Sequence, residues 1–151
     1  MALHAVIATL ALVSAWPWSL AAQPGEKGQS MGTTITIRIG EKAFAATLAE
    51  NATAAAFEKL LPLSITMAEL NGNEKFARLP GTVPAQASTP ASIHTGDLML
   101  YGSDTLVLFY KSFSTTYSYT KIGQVDDPAG LEAALGFGNV VVTFEAKGQK
   151  R

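Results

Sequence analysis

Arg78 is a lone arginine that reads either as a solvated surface charge or as a contact to a substrate. It stands in Phe76-Ala77-Arg78-Leu79-Pro80, a short apolar run ending in proline. A guanidinium presented beside an aromatic ring can hydrogen-bond a substrate carbonyl and stabilise charge that develops on an amide oxygen. A second candidate is Lys111–Lys121, where serines and threonines interleave with Phe113, Tyr117 and Tyr119. Rings of this kind stack on a ligand while hydroxyls hydrogen-bond its edges. The opposing reading is an ordinary strand with its rings packed inward and its hydroxyls in water. A platform for single-stranded nucleic acid also needs a basic groove, and only Lys111 and Lys121 are at hand.

Other residue pairs have simpler explanations. His94 and Asp97 flank Thr95-Gly96 and form half of a relay at best; a solvated loop histidine accounts for the same letters. A zinc site needs three or four nitrogen, sulfur or carboxylate ligands, and with 2 histidines and 0 cysteines no metal is expected. Asp126-Asp127 offers paired carboxylates, yet Pro128 and the pattern behind it place Asp127 as a helix N-cap. Gly136-Phe137-Gly138 follows a helix rather than a strand, so it is not a phosphate loop. Asn51-Ala52-Thr53 is a formal glycosylation acceptor whose position at a helix start fits capping better.

The whole-chain numbers bound what such residues can do. With 151 residues, 48% hydrophobic and 15% charged, the chain makes one domain and not a disordered segment. A formal net charge of −1 provides no field to gather nucleic acid or anionic lipid. The charge is nevertheless uneven: residues 1–25 carry none of it. Ala5–Ala15 is too short for a bilayer span of about 20 residues but suits a signal-peptide core. Small residues at Ser19 and Ala21 place cleavage after Ala21, giving a signal peptide over 1–21 and a linker over 22–31. A periplasmic or secreted protein with no stable membrane insertion is then expected. The rival reading starts translation at Met31 and leaves the protein cytoplasmic.

The elements that would position these residues are mostly strands. Thr34–Ile39 alternates polar and apolar residues at period two, and Ala43–Ala49 returns after a turn at Gly40-Glu41-Lys42. Asn51–Leu61 switches to helical spacing and stops at Pro62. Leu63–Met67 and Lys75–Leu79 read as short strands around a tight turn at Asn71-Gly72. Pro80–Gly96 reads as a long loop, and long loops in small domains are often functional. Asp97–Tyr101 and Thr105–Tyr110 are almost wholly apolar, as arms buried on both faces of a closed sheet must be. Tyr117–Val125 and Val140–Glu145 complete the strands, with a second helix from Asp127-Pro128 to Leu135 between them. The pattern predicts a mainly β fold: a closed antiparallel barrel capped by two short helices, over residues 32–146, with a tail at 147–151.

The blocks LPLSITMAELNGNEKFARLP (Leu61–Pro80) and GDLMLYGSDTLVLFYKSFSTTYSYTKIGQVDDPAGLEAALG (Gly96–Gly136) resemble the small bacterial cyclophilin-like proteins. The similarity runs from Thr33 to Glu145 and implies a cyclophilin-like barrel of eight antiparallel strands with a helix at each open end. True cyclophilins, the peptidyl-prolyl isomerases, are more distantly similar. Their catalytic arginine lies in a Phe-His-Arg stretch ending in proline, which maps onto Arg78. Phe109, within Leu106–Tyr110, maps onto the aromatic of their proline pocket. Tyr119, ahead of Ile122-Gly123-Gln124-Val125, stands near the place of their active-site histidine. Their pocket glutamine and tryptophan have no counterpart, since Trp16 and Trp18 both lie in the leader.

Twisting an X-Pro amide meets a barrier of about 18–20 kcal/mol, lowered only by groups that bind the twisted state better than the planar one. With several such groups missing, the resemblance implies a barrel that binds a peptide or small molecule through Phe76, Arg78, Phe109, Tyr117 and Tyr119. A divergent prolyl isomerase with Arg78 as its catalytic residue is the first alternative. An accessory partner of a flavodoxin-type redox protein is the second. No resident cofactor is expected, and the protein is expected to be a monomer.

Overall fold

Isoleucines at every second position make the first strand, β1 (Thr34–Ile39), whose Ile35, Ile37 and Ile39 are all buried. The computed structural model describes residues 32–148; the expected signal peptide and linker, and residues 149–151 of the tail, lie outside the described residues. β1 turns back as β2 (Lys42–Leu48), and the chain then enters α1 (Ala52–Glu58). Asn51 caps this helix: its Oδ1 accepts from the Ala54 amide at 2.8 Å, while its Nδ2 donates to the Lys121 carbonyl at 2.8 Å. Both ends of the side-chain amide are thereby used in fixing the helix against the barrel.

β3 (Leu63–Leu70) runs three residues beyond the expected strand, into the hairpin turn at Asn71-Gly72. Both turn residues take positive φ, 57° and 69°, a conformation that Asn and Gly tolerate and most residues resist. β4 (Glu74–Arg78) follows, then the long connection to β5 (Ser92–Ile93). The apolar hairpin forms β6 (Asp97–Tyr101) and β7 (Thr105–Phe109); β8 (Phe113–Ser114), β9 (Thr120–Val125), α2 (Leu131–Leu135) and β10 (Val140–Ala146) complete the chain.

Eight of these strands close a barrel in the order β1-β10-β3-β4-β7-β6-β9-β2, every neighbouring pair antiparallel. Closure leaves no open edge, and β5 and β8 pair separately, with Ile93 opposite Phe113. The expected mainly β barrel with two short helices is therefore the observed fold. Leu98, Leu100, Leu106 and Leu108 enter its principal core, which Phe57 of α1 and Leu131 and Leu135 of α2 also join. Met99, Val107 and Phe109, on the opposite face of β6 and β7, pack into a second cluster with Ile93 and Tyr119. This explains why the two arms are apolar throughout: one face lines the barrel and the other lies under the β5–β8 ribbon.

Three details differ from the sequence reading. α2 begins at Leu131 after an N-cap at Gly130, not at Asp127. The Asp127 carboxylate accepts instead from the Ala129 amide at 3.0 Å, closing a local turn that competes with helix start. The long connection carries β5 and is held down at several points, among them Val83 N to Ser103 O at 2.9 Å and Thr53 Oγ1 to Pro84 O at 2.6 Å. Tyr117 and Tyr119 both lie before β9 rather than in it, and Tyr119 pairs instead with Ser88 of the long connection through an isolated antiparallel bridge.

At β9 the register against β6 slips, pairing Leu98 with Gly123 and Met99 with Lys121. Ile122 is the extra residue, so β9 is bulged beside Tyr119. Gly123 is required here, since a Cβ would stand 2.6 Å from the Thr47 carbonyl oxygen.

Candidate functional site

The alternation of β4 sorts its side chains between barrel and surface. Ala77 packs in the core, and Lys75 is wholly buried with its Nζ donating to the carbonyls of Gly136 and Gly138 at 2.9 and 2.7 Å. Glu74, Phe76 and Arg78 face the other way and line a cavity of about 740 Å³. The remaining walls come from β3, from Tyr101 and Val107 of the apolar hairpin, and from the segment Phe113–Tyr117 with Tyr119. This is the size of an ordinary small-molecule site.

Four of the five residues expected to bind a ligand therefore share one cavity: Phe76, Arg78, Tyr117 and Tyr119. The fifth is placed differently. Phe109 is 0% exposed and lies behind the wall, edge-on to Tyr119 at 5.5 Å between centroids and tilted against Phe113 at 5.6 Å. Its position at the end of an all-apolar strand buries it on the outer face, so it supports the aromatic wall without presenting surface. Tyr101 extends that wall, its ring 5.8 Å from that of Tyr119.

Two formal charges line the cavity, and their surroundings are opposite. Arg78 is at the open end, 82% exposed, with Nη1 3.5 Å from Asp104 Oδ2. Glu74 is only 7% exposed, and among the described residues no cationic side chain pairs with it. Burial pushes its carboxyl above the ordinary range, and the charge of Glu69 adds to the shift. Tyr119 is raised as well, by burial first and then by the charge of Glu74, which places that carboxylate within electrostatic reach of the phenol.

Glu74 was not legible as a site residue, because Asn71-Gly72-Asn73-Glu74-Lys75 reads as a polar, solvated turn. The available signal was the strand's own period, which puts Glu74 on the face of Phe76 and Arg78 once β4 begins one residue earlier. The other sequence candidates are occupied locally. Asp97 is buried and accepts from the His94 backbone amide at 2.8 Å, while the exposed His94 ring stands 3.8 Å away, so no imidazole relay is assembled. Asp126 accepts from Thr47 Oγ1 at 2.6 Å. Among the described residues, no three metal-ligating side chains converge.

Barrel, outer-face cavity and aromatic wall define a closed antiparallel barrel whose candidate site lies outside the barrel rather than within it. The chain belongs to the Cyclophilin-like family, which it matches over residues 37–145. Its fold is also similar to the solution structure of the hypothetical protein AF2241 from Archaeoglobus fulgidus. That similarity has a TM-score of 0.52 and 18% identity, over 81% of this chain and 98% of the archaeal one. No curated protein matches the sequence.

Proposed function

We propose that this protein is a binding domain that holds an extended peptide or a small polar ligand in the cavity beside β4. The observation that supports this reading is the 740 Å³ cavity, with aromatic residues along its walls and one charged side chain towards each end of the β4 stripe. Apolar walls supply affinity, and a few fixed polar groups supply orientation. Export after cleavage at Ala21 belongs to the same proposal, and N-terminal sequencing of the purified protein tests it. A start at Ala22 agrees, and a start at Met31 or Gly32 refutes it.

Prolyl isomerisation is the second reading, favoured by Arg78 and Phe76 sharing the cavity on one strand face. Arg78 would contact the prolyl carbonyl from the open end, where its exposure leaves the guanidinium free to reach. A protease-coupled assay on an Ala-Pro peptide separates the two. Turnover abolished by Arg78→Ala identifies an isomerase. No turnover, together with thermal stabilisation by a bound peptide, identifies a binding domain. Arg78→Ala leaves folding stability within about 0.5 kcal/mol in either case, because the residue pairs only at the surface.

A further inference from the structure

The cavity contains an acid that the protein does not neutralise. Glu74 is the only carboxylate along its lining, it is 7% exposed, and among the described residues no Lys, Arg or His pairs with it. Its neighbour Lys75 does not serve, since that side chain turns to the other face and is consumed by Glu69 and two carbonyls. Arg78 lies four residues along the strand, about 13 Å away at strand spacing, and is engaged with Asp104. A partly desolvated carboxylate without a cationic partner is costly to ionise, so the site favours whatever brings a positive charge to it.

The walls narrow the kind of charge. Phe76, Tyr101, Phe113, Tyr117 and Tyr119 all line the same cavity. Aromatic faces attract cations through their quadrupole, most effectively when the cation is poorly hydrated. A hard metal ion would need six or more oxygen ligands with several carboxylates among them, and besides Glu74 the lining adds only neutral amides and hydroxyls. An anion would be repelled by Glu74. An organic cation satisfies both features, its charge meeting the carboxylate and its carbon body meeting the rings.

We propose that the cavity is specific for an ammonium group, carried by a small organic amine or presented as a lysine side chain, with Glu74 as its counter-ion and the aromatic wall as its cage. This rests on the cavity being the ligand site. It adds a chemical class that neither the barrel nor Arg78 specifies.

The test is an amide-resolved NMR titration of the full chain with two matched probe pairs. Benzyltrimethylammonium is compared with benzyl alcohol, and acetyl-Ala-Lys-Ala-amide with acetyl-Ala-norleucine-Ala-amide. The cationic member of at least one pair should bind ten-fold or more tightly than its neutral partner, moving the amides of Glu74, Phe113 and Tyr119. Which pair shows the preference distinguishes a free amine from a peptide lysine. Glu74→Gln should reduce the preference at least three-fold, leaving the part that the rings supply. Equal binding within both pairs, or a preference unchanged by Glu74→Gln, overturns the ammonium assignment but leaves the cavity as a ligand site. If no probe of either charge moves the cavity amides, both readings fall.

Discussion

Lys75 Nζ stands 2.6 Å from Glu69 Oε2, between residues that β3 and β4 place directly opposite each other. The lysine is wholly buried, and its two remaining bonds go to the carbonyls of Gly136 and Gly138, in the connection between α2 and β10. One ammonium thus ties a hairpin to a distant loop. The ring of Tyr110 lies 5.8 Å away, and its hydroxyl donates to Glu69 at 2.7 Å. Removing the charge leaves two carbonyls without their donor and the Glu69 carboxylate with only its neutral partners. Lys75→Met should therefore cost about 3 kcal/mol, measured by urea denaturation. A loss below about 1 kcal/mol would show that water replaces the ammonium at no penalty.

The Glu69 side of this contact should appear in the pH dependence of stability. Burial works to raise its carboxyl, but Lys75, the Tyr110 hydroxyl and the Gly72 amide outweigh it and hold the group below the ordinary value. A carboxyl lowered on folding binds fewer protons in the native state than in the unfolded one. Its contribution is present above the unfolded value of about 4.3 and disappears as pH falls through the lowered native one. Glu69→Gln should be less stable than the natural protein at pH 7, with the gap closing in the acid range. A gap that is unchanged at pH 3 would mean that packing, not charge, carries the effect.

Phe109 should prove structural. It is completely buried and braces Tyr119 and Phe113 from behind. Phe109→Ala opens a cavity at this point and removes two aromatic contacts, for a cost of about 3–5 kcal/mol. Tyr117→Ala, at a side chain 64% exposed, should cost less than about 1 kcal/mol. Denaturation midpoints of the two variants check the contrast. Equal losses would contradict the division of the wall into support and surface.

These residues also show what the sequence could convey. The alternation of Thr34–Ile39 determines one buried face, and the apolar arms 97–101 and 105–109 reveal burial on both, so the barrel followed from local pattern. Pattern does not say what covers the second face. The ribbon pairing Ile93 with Phe113 is two residues long on each side and carries no periodicity of its own. Phe109 and Tyr119 were therefore recognisable as aromatics near the site, while the difference between bracing it and lining it was not. Asp127 failed for a related reason, since its capping signature was satisfied by the Ala129 amide in a local turn. Glu74 was the hardest residue to read. It is polar, it follows a turn, and the cavity wall it shares with the distant segment 113–117 and Tyr119 leaves no local pattern.

Glu74 gives the sharpest test of a site that costs stability. Burial and the charge of Glu69 both raise its carboxyl, so the folded protein holds this proton more tightly than the unfolded chain does. Native protein then binds more protons in the interval above the ordinary glutamate value of about 4.3, and stability falls as pH rises through that interval. This is the reverse of the Glu69 effect, from a residue on the neighbouring strand. Glu74→Gln keeps the shape and removes the ionisation, and it should stabilise the ligand-free protein at pH 7 by about 0.5–2 kcal/mol. At pH 4 and below, where both forms are largely neutral, the difference should vanish. Paired thermal melts across this range provide the measurement. A variant that is less stable at pH 7 would show that the protein already supplies Glu74 with a partner, and the carboxylate would then have no charge left to offer a ligand.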